Sequence, residues 1–235
     1  MHHFQHKGAT LGKPSLKQTL DALKRQVLNG KSYLKIAEGL IQADQVLFDG
    51  STTFFFMTID GSLELAQIAA ARLYDRSKGT VTVEAMLCEA AAQAGDFKYG
   101  DRTLVENAVL KSVKRVIAIQ PIVDVIRRRR DKWLAHLDPE AVHDPAALSA
   151  KAKLTIPDLE RVFKESEEIV LDLSNLYEGV IGELRYLGGD DYKSALNWIR
   201  KAKCAYVERY EQEHGAGSWN GPRPRDCSRQ PWDLL

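Results

Sequence analysis

The side chains best able to do chemistry are concentrated in one stretch, Pro121-Ile-Val-Asp-Val-Ile126-Arg127-Arg128-Arg129-Arg130-Asp131-Lys132-Trp133-Leu134-Ala135-His136-Leu137-Asp138-Pro139. An arginine and a histidine beside an RNA phosphate are sufficient for cleavage without a metal. Neutral His136 can take the proton from a ribose 2′-hydroxyl, and its protonated form can serve the leaving oxygen. Arg130 can hold the phosphate and offset charge developing on its oxygens. DNA lacks that hydroxyl and would resist. Arg127, Arg128, Arg129 and Lys132, together with Arg115, are candidate phosphate contacts. A solvated helix end explains the same basic run as well, because cations are favoured in the last turns of a helix.

Projected as a helix, Ile122, Ile126, Trp133 and Leu137 form one apolar stripe. Arg130 and His136 flank it on opposite sides, separated by roughly 120°. Polar groups beside a buried stripe need partners, and a cationic arginine there seeks a carboxylate or a phosphate. At that separation the pair need not touch within one helix, whereas two copies of the helix facing across a dimer would solve the geometry. Trp133, lying in the stripe, is expected to pack in a core or dimer interface rather than stack on a base.

The elements that must position this segment are helical throughout. Apolar residues recur at helical spacing over nearly the whole length, and alternating β-branched runs are almost absent. A first helix is expected from Ser15 to a stop at Asn29-Gly30, and a second from Ser32 to about Phe48. The third, about Ser51 to Arg76, is apolar over more than half its circumference and is expected to be the central, most buried one, with a kink or a close crossing at Gly61. A shorter helix follows Thr80 or Thr82 and runs to about Ala94. The stretch from Arg102 to Leu137 reads as one long or two abutting helices, with Pro121 at the break. Thr155, Pro157 and Asp158 open another that runs to about Leu187 before Gly188-Gly189, and a last helix spans about Asp191 to Glu213. The fold class is therefore all-α: a single helical bundle over residues 1–213, followed by a Pro-, Gly- and Arg-rich tail over 214–235.

The 235 residues are 44% apolar and 28% charged, enough to bury one substantial core, and their net charge of +1 supplies no global field toward nucleic acid or an anionic membrane. Any RNA binding must come from a local patch. Cys88, Cys204 and Cys227 are odd in number and show no paired spacing, so neither a disulfide framework nor a zinc site is expected, and a reducing cytoplasm fits best. No uninterrupted apolar run long enough to cross a membrane and no secretion signal is present. His136 and Asp138 with His143 and Asp144 match no established zinc spacing, and no P-loop or Gly-x-Ser-x-Gly elbow occurs, so no metal or cofactor is expected. His2, His3 and His6 receive no role. Trp219, Pro222, Arg223, Pro224, Arg225, Pro231 and Trp232 are a mixture that can dock as an extended peptide or remain a disordered tail.

Arg130-Asp131-Lys132-Trp133-Leu134-Ala135-His136 resembles the signature of the HEPN superfamily, an arginine followed by a polar residue and then, after four to six intervening positions, a histidine. Ala70-Ala-Arg72-Leu-Tyr74-Asp75-Arg76, Thr80-Val-Thr-Val-Glu-Ala-Met-Leu87, Leu154-Thr-Ile-Pro-Asp158-Leu159 and Ala135-His136-Leu-Asp138 resemble its abortive-infection U branch, over roughly residues 15–210 together. The resemblance implies a helical bundle that pairs into a homodimer with two motif copies facing one another. It also implies metal-independent endoribonuclease activity, used against phage or as a toxin, with an antitoxin as a possible partner. The catalytic role carries over onto Arg130 and His136, and the role of the polar neighbour onto Asp131. Some relatives have a nucleotide-accepting tyrosine two residues after the histidine; this chain has Asp138 there. The competing reading is a non-catalytic helical module that binds RNA, a nucleotide or a protein, and a helical DNA-binding regulator is weaker because no recognition helix stands out.

Overall fold

The computed structural model describes residues 13–134, 152–179, 184, 191–225 and 227, and every regular element among them is helical, as the periodicity requires. The helices are α1 (Leu16–Gln42), α2 (Thr52–Leu73), α3 (Val83–Ala92), α4 (Arg102–Arg129), α5 (Ile156–Glu178) and α6 (Asp191–His214). Ser15 opens α1 with a reciprocal cap: its hydroxyl accepts from the Gln18 N–H, while the Gln18 side-chain oxygen Oε1 accepts from the Ser15 N–H at 2.9 Å. Thr155 and Asp158 do the same for α5.

Three breaks read from the sequence fall elsewhere. The stop at Asn29-Gly30 is absent, and the two helices expected on either side of it are one continuous α1. Gly30 serves close packing instead: a Cβ there would lie 2.2 Å from the Phe163 ring of α5. Pro121 does not divide α4, which is the one long helix of the two readings rather than two abutting ones. It sits on the solvent side with Ile117, so the carbonyl deprived of its partner faces water rather than the core. α5 stops at Gly179, in the left-handed conformation at φ 70°, well before Gly188 and Gly189, which lie outside the described residues.

α2 is also less enclosed than expected. Its inner side carries Phe55, Ile59, Ala66 and Leu73, but Phe54 and Met57 are 65% and 70% exposed. Among the described residues no atom lies within 4 Å of where a Cβ at Gly61 would stand, and none of them makes the expected close crossing. By length and composition α2 is apolar enough to cross a membrane; 44% of its most apolar window is buried in the protein.

Leu20 and Val27 of α1, Leu73 of α2, Ile119 of α4, and Phe163 and Leu173 of α5 share one core. A second cluster of Leu40, Phe48, Phe55, Ile59 and Leu196 seats α6. Beyond α6 the described tail lies back on it. Trp219 packs edge-on against Tyr206 and Tyr210, Arg223 pairs with Glu211, and Cys204 is disulfide-bonded to Cys227. That bond corrects the expectation of unpaired thiols: the two cysteines are far apart in sequence, and only the fold-back joins them. Cys88 is free.

Replacing Gly30 with Ala forces its methyl into the Phe163 ring and is expected to lower unfolding free energy by about 1–3 kcal/mol, measured by chemical denaturation. An unchanged midpoint contradicts the packing role.

Candidate active site at the joint of α2 and α4

The basic run sits where the last turn of α4 meets the end of α2, and its arginines are not equivalent. Tyr74 follows Leu73 as the C-cap of α2 and is fully buried. Its hydroxyl lies 2.7 Å from Ser166 Oγ of α5, and that serine donates its own proton to the Val162 carbonyl, so Tyr74 is the donor to Ser166. Burial pushes the Tyr74 hydroxyl far above its usual pKa and keeps it protonated. The Tyr74 carbonyl receives Arg127, whose Nε donates at 2.8 Å and whose terminal nitrogen donates to the same oxygen. A cation thus closes the C-terminal end of α2, with Asp124 at 3.4 Å and Glu84 at 3.8 Å as its carboxylates.

Arg129 turns inward. Its Nε donates to Gln67 Oε1 at 2.7 Å, and a terminal nitrogen donates to the Ala152 carbonyl at 3.2 Å, tying the start of the α5 segment to α2. Burial lowers its pKa from the ordinary arginine value. Arg115 is held by Glu165 at 2.8 Å and by Glu168. Arg127, Arg129 and Arg115, candidates for phosphate contact, are therefore engaged with the protein's own oxygens. Arg128 is exposed and Lys132 half-buried, and both also make contacts within the chain.

Arg130 begins a π-helical turn, Arg130–Leu134, that continues α4. Such wide turns change the rotation per residue and recur at functional sites, so a projection at the α-helical angle does not carry past Arg129. The Arg130 guanidinium lies 3.4 Å from Asp75, one residue past Tyr74, and its Nε and a terminal nitrogen are each 2.7 Å from Asp131 Oδ1. The Asp131 hydrogen bond, more than either carboxylate's charge, raises the arginine's pKa. Asp75 accepts from the N–H and hydroxyl of Ser77 at 3.0 and 2.9 Å; chiefly the N–H, with Arg130 adding to it, holds its carboxyl below the usual range. Arg130 keeps 25% of its side chain exposed and Asp131 58%, so the pair is reachable from solvent.

Asp75, Tyr74 and Gln67 had no assigned role in the sequence. Asp75 lies inside the quoted stretch Ala70–Arg76, but no spacing links it to Arg130 more than fifty positions on; only packing does. His136, Leu137, Asp138, His143 and Asp144, and the side chain of Trp133, lie outside the described residues. Among the described residues no group of three metal-ligating side chains converges.

Residues 13–196 match the HEPN family model described as AbiU2. No curated protein and no solved structure matches the chain.

Replacing Arg127 with Leu leaves the Tyr74 carbonyl without its donor and is expected to cost about 1–3 kcal/mol of stability. The same change at Arg130 removes a partly exposed ion pair and should cost about 1 kcal/mol or less. Denaturation midpoints of the two variants check the difference; equal losses contradict it.

Proposed function

Since the chain belongs to the AbiU2 family of HEPN proteins, we propose that it is a metal-independent endoribonuclease, acting in the cytoplasm as a toxin or abortive-infection protein. The observation that carries this reading is the state of Arg130: unlike Arg127 and Arg129, which are turned into the fold, it heads a wide turn and is held at a solvent-reachable surface by two carboxylates. Asp131, the more exposed of these, keeps the guanidinium oriented until a phosphate takes its place, and Asp75 continues to anchor it from the α2 side. Phosphate substitutes for carboxylate well at an arginine, because both present two oxygens to the planar fork.

In the reaction, His136 takes the proton from the ribose 2′-hydroxyl as O2′ bonds to phosphorus. The bond from phosphorus to the 5′-oxygen breaks, and that oxygen leaves with a proton from an imidazolium. The products are a 2′,3′-cyclic phosphate and a 5′-hydroxyl. Arg130 stabilises the charge on the non-bridging oxygens. No metal or cofactor takes part in this scheme.

A homodimer with a composite site is part of the reading. Leu110, Val113, Ile117 and Pro121 form an exposed, largely apolar stripe along the outer side of α4, and a second copy is a natural cover for it. An antitoxin would silence the enzyme by masking the same end of α4. The alternative, a non-catalytic binding module, draws on Arg130 being already neutralised by two carboxylates.

Total RNA incubated with purified protein in EDTA is expected to be cut to fragments with 2′,3′-cyclic phosphate ends, and His136→Ala or Arg130→Ala should each abolish this. Folded, dimeric protein with no cleavage in any of the three forms favours the binding module. Placing a charge in the stripe with Ile117→Asp should convert dimer to monomer in light scattering and reduce cleavage with it; an unchanged mass removes α4 as the pairing face.

A further inference from the structure

Among the described residues, the tail that lies back on α6 contributes no side chain to either apolar core. Its non-covalent contacts are at the surface. Trp219 meets Tyr206 and Tyr210 edge to face, the Gly217 N–H donates to Glu211 at 3.0 Å, and Arg223 pairs with the same carboxylate. The Arg225 N–H donates to Asp44 at 2.6 Å. Exposed hydrogen bonds and ion pairs hold a segment weakly, because water offers the same partners. What fixes the tail is the bond between Cys204 and Cys227, whose Cα atoms are 5.6 Å apart. Both cysteines lie beyond residue 196, where the family match ends. We propose that Cys204–Cys227 is an exchangeable redox site, opened by a dithiol at the exposed Cys227 sulfur, and that its opening frees the tail from α6.

The two sulfurs differ in access. Cys227 is exposed, whereas Cys204 lies in α6 at 9% exposure, so an incoming thiolate reaches Cys227. The new bond forms to Cys227 Sγ as the original one breaks, and Cys204 leaves with the electron pair and takes a proton from water. The second thiolate of the reagent then closes the reagent's own disulfide and expels Cys227, which is protonated in turn. The protein gains two electrons and the dithiol loses two. A low-molecular-weight disulfide drives the same steps backwards. Cys88, free and exposed on α3, takes no part.

Opening the bond need not unfold the helices. α6 keeps its own seat through Leu196 in the second core, and Lys203 Nζ still donates to the Asp49 carbonyl at 3.1 Å. The tail, left with its surface contacts, no longer offsets the entropy of being ordered. Its release uncovers Tyr210, Glu211 and Asp44. In the reducing cytoplasm of the proposed function the thiols prevail at rest and the bond forms under oxidation. Only that direction rests on the proposed function, and the test reads thiols and proteolysis rather than RNA cleavage.

The full chain, purified without reductant, is treated with millimolar dithiothreitol under native conditions and quenched with acid. Thiols are then counted by alkylation in denaturant and mass spectrometry. The count should rise from one, Cys88, to all three cysteines within minutes, with the helical circular dichroism unchanged. Chymotryptic cleavage after Trp219 should rise about tenfold or more on reduction, since cleavage follows the population of the open form. Cys227→Ser should be cut at that faster rate with or without dithiothreitol, and Cys88→Ser should behave as wild type. Three thiols before any reductant, a bond that yields only after denaturant is added, or equal cleavage of the oxidised and reduced chains would each overturn the proposal.

Discussion

The Arg127 guanidinium donates to the carbonyl of Tyr74, and through that contact the ends of α2 and α4 hold a fixed relation to each other. The carbonyl is one of those a helix end leaves unsatisfied, and at a buried residue it needs a donor from within the protein. Tyr74 extends the joint to a third helix through its hydroxyl and Ser166 of α5. One residue further on, Asp75 is carried to the spot where Arg130 leaves α4. The position of the candidate catalytic arginine thus follows from a backbone carbonyl that must be capped.

This arrangement divides a run of four identical side chains by environment. Arg127 and Arg129 supply donors to buried oxygens of Tyr74, Gln67 and Ala152, and removing them would leave those oxygens unpaired. Arg130 meets carboxylates that are themselves partly exposed, and in the proposed reaction the more exposed of them, Asp131, gives way to a phosphate at little cost. The π-helical turn that begins at Arg130 separates it from the inward-facing residues before it. On the proposed function, stability and chemistry are thereby drawn from neighbouring positions without competing for the same guanidinium.

Much of the fold was legible in the sequence. The caps at Ser15, Thr82 and Thr155, the proline at the start of α5 and the apolar periodicity gave the helices and most of their starts. Their ends were harder to read, because glycine and proline each have two roles. Gly30 admits the Phe163 ring rather than stopping α1, while Gly179 does stop α5. Pro121 is tolerated because its helix face is solvated. The Cys204–Cys227 bond required knowing that the tail returns to α6. For the site, residue types and spacing singled out Arg130 and His136, and the resemblance added Asp131, but charge alone could not separate Arg130 from Arg127 and Arg129. That distinction rests on which oxygens the fold brings within reach, including those of Asp75 and Tyr74, and such contacts between distant positions leave no local pattern.

The central claim, that Arg130 is an exchangeable anion holder rather than a structural cation, is tested most directly by the binding of 2′-O-methyl RNA, which offers phosphates but no attacking hydroxyl. The Kd of wild-type protein and of Arg130→Ala would be compared alongside their melting temperatures. The account predicts that affinity falls about tenfold or more while the melting temperature barely moves. Unchanged affinity, or a melting temperature lowered as far as in Arg127→Leu, would contradict it.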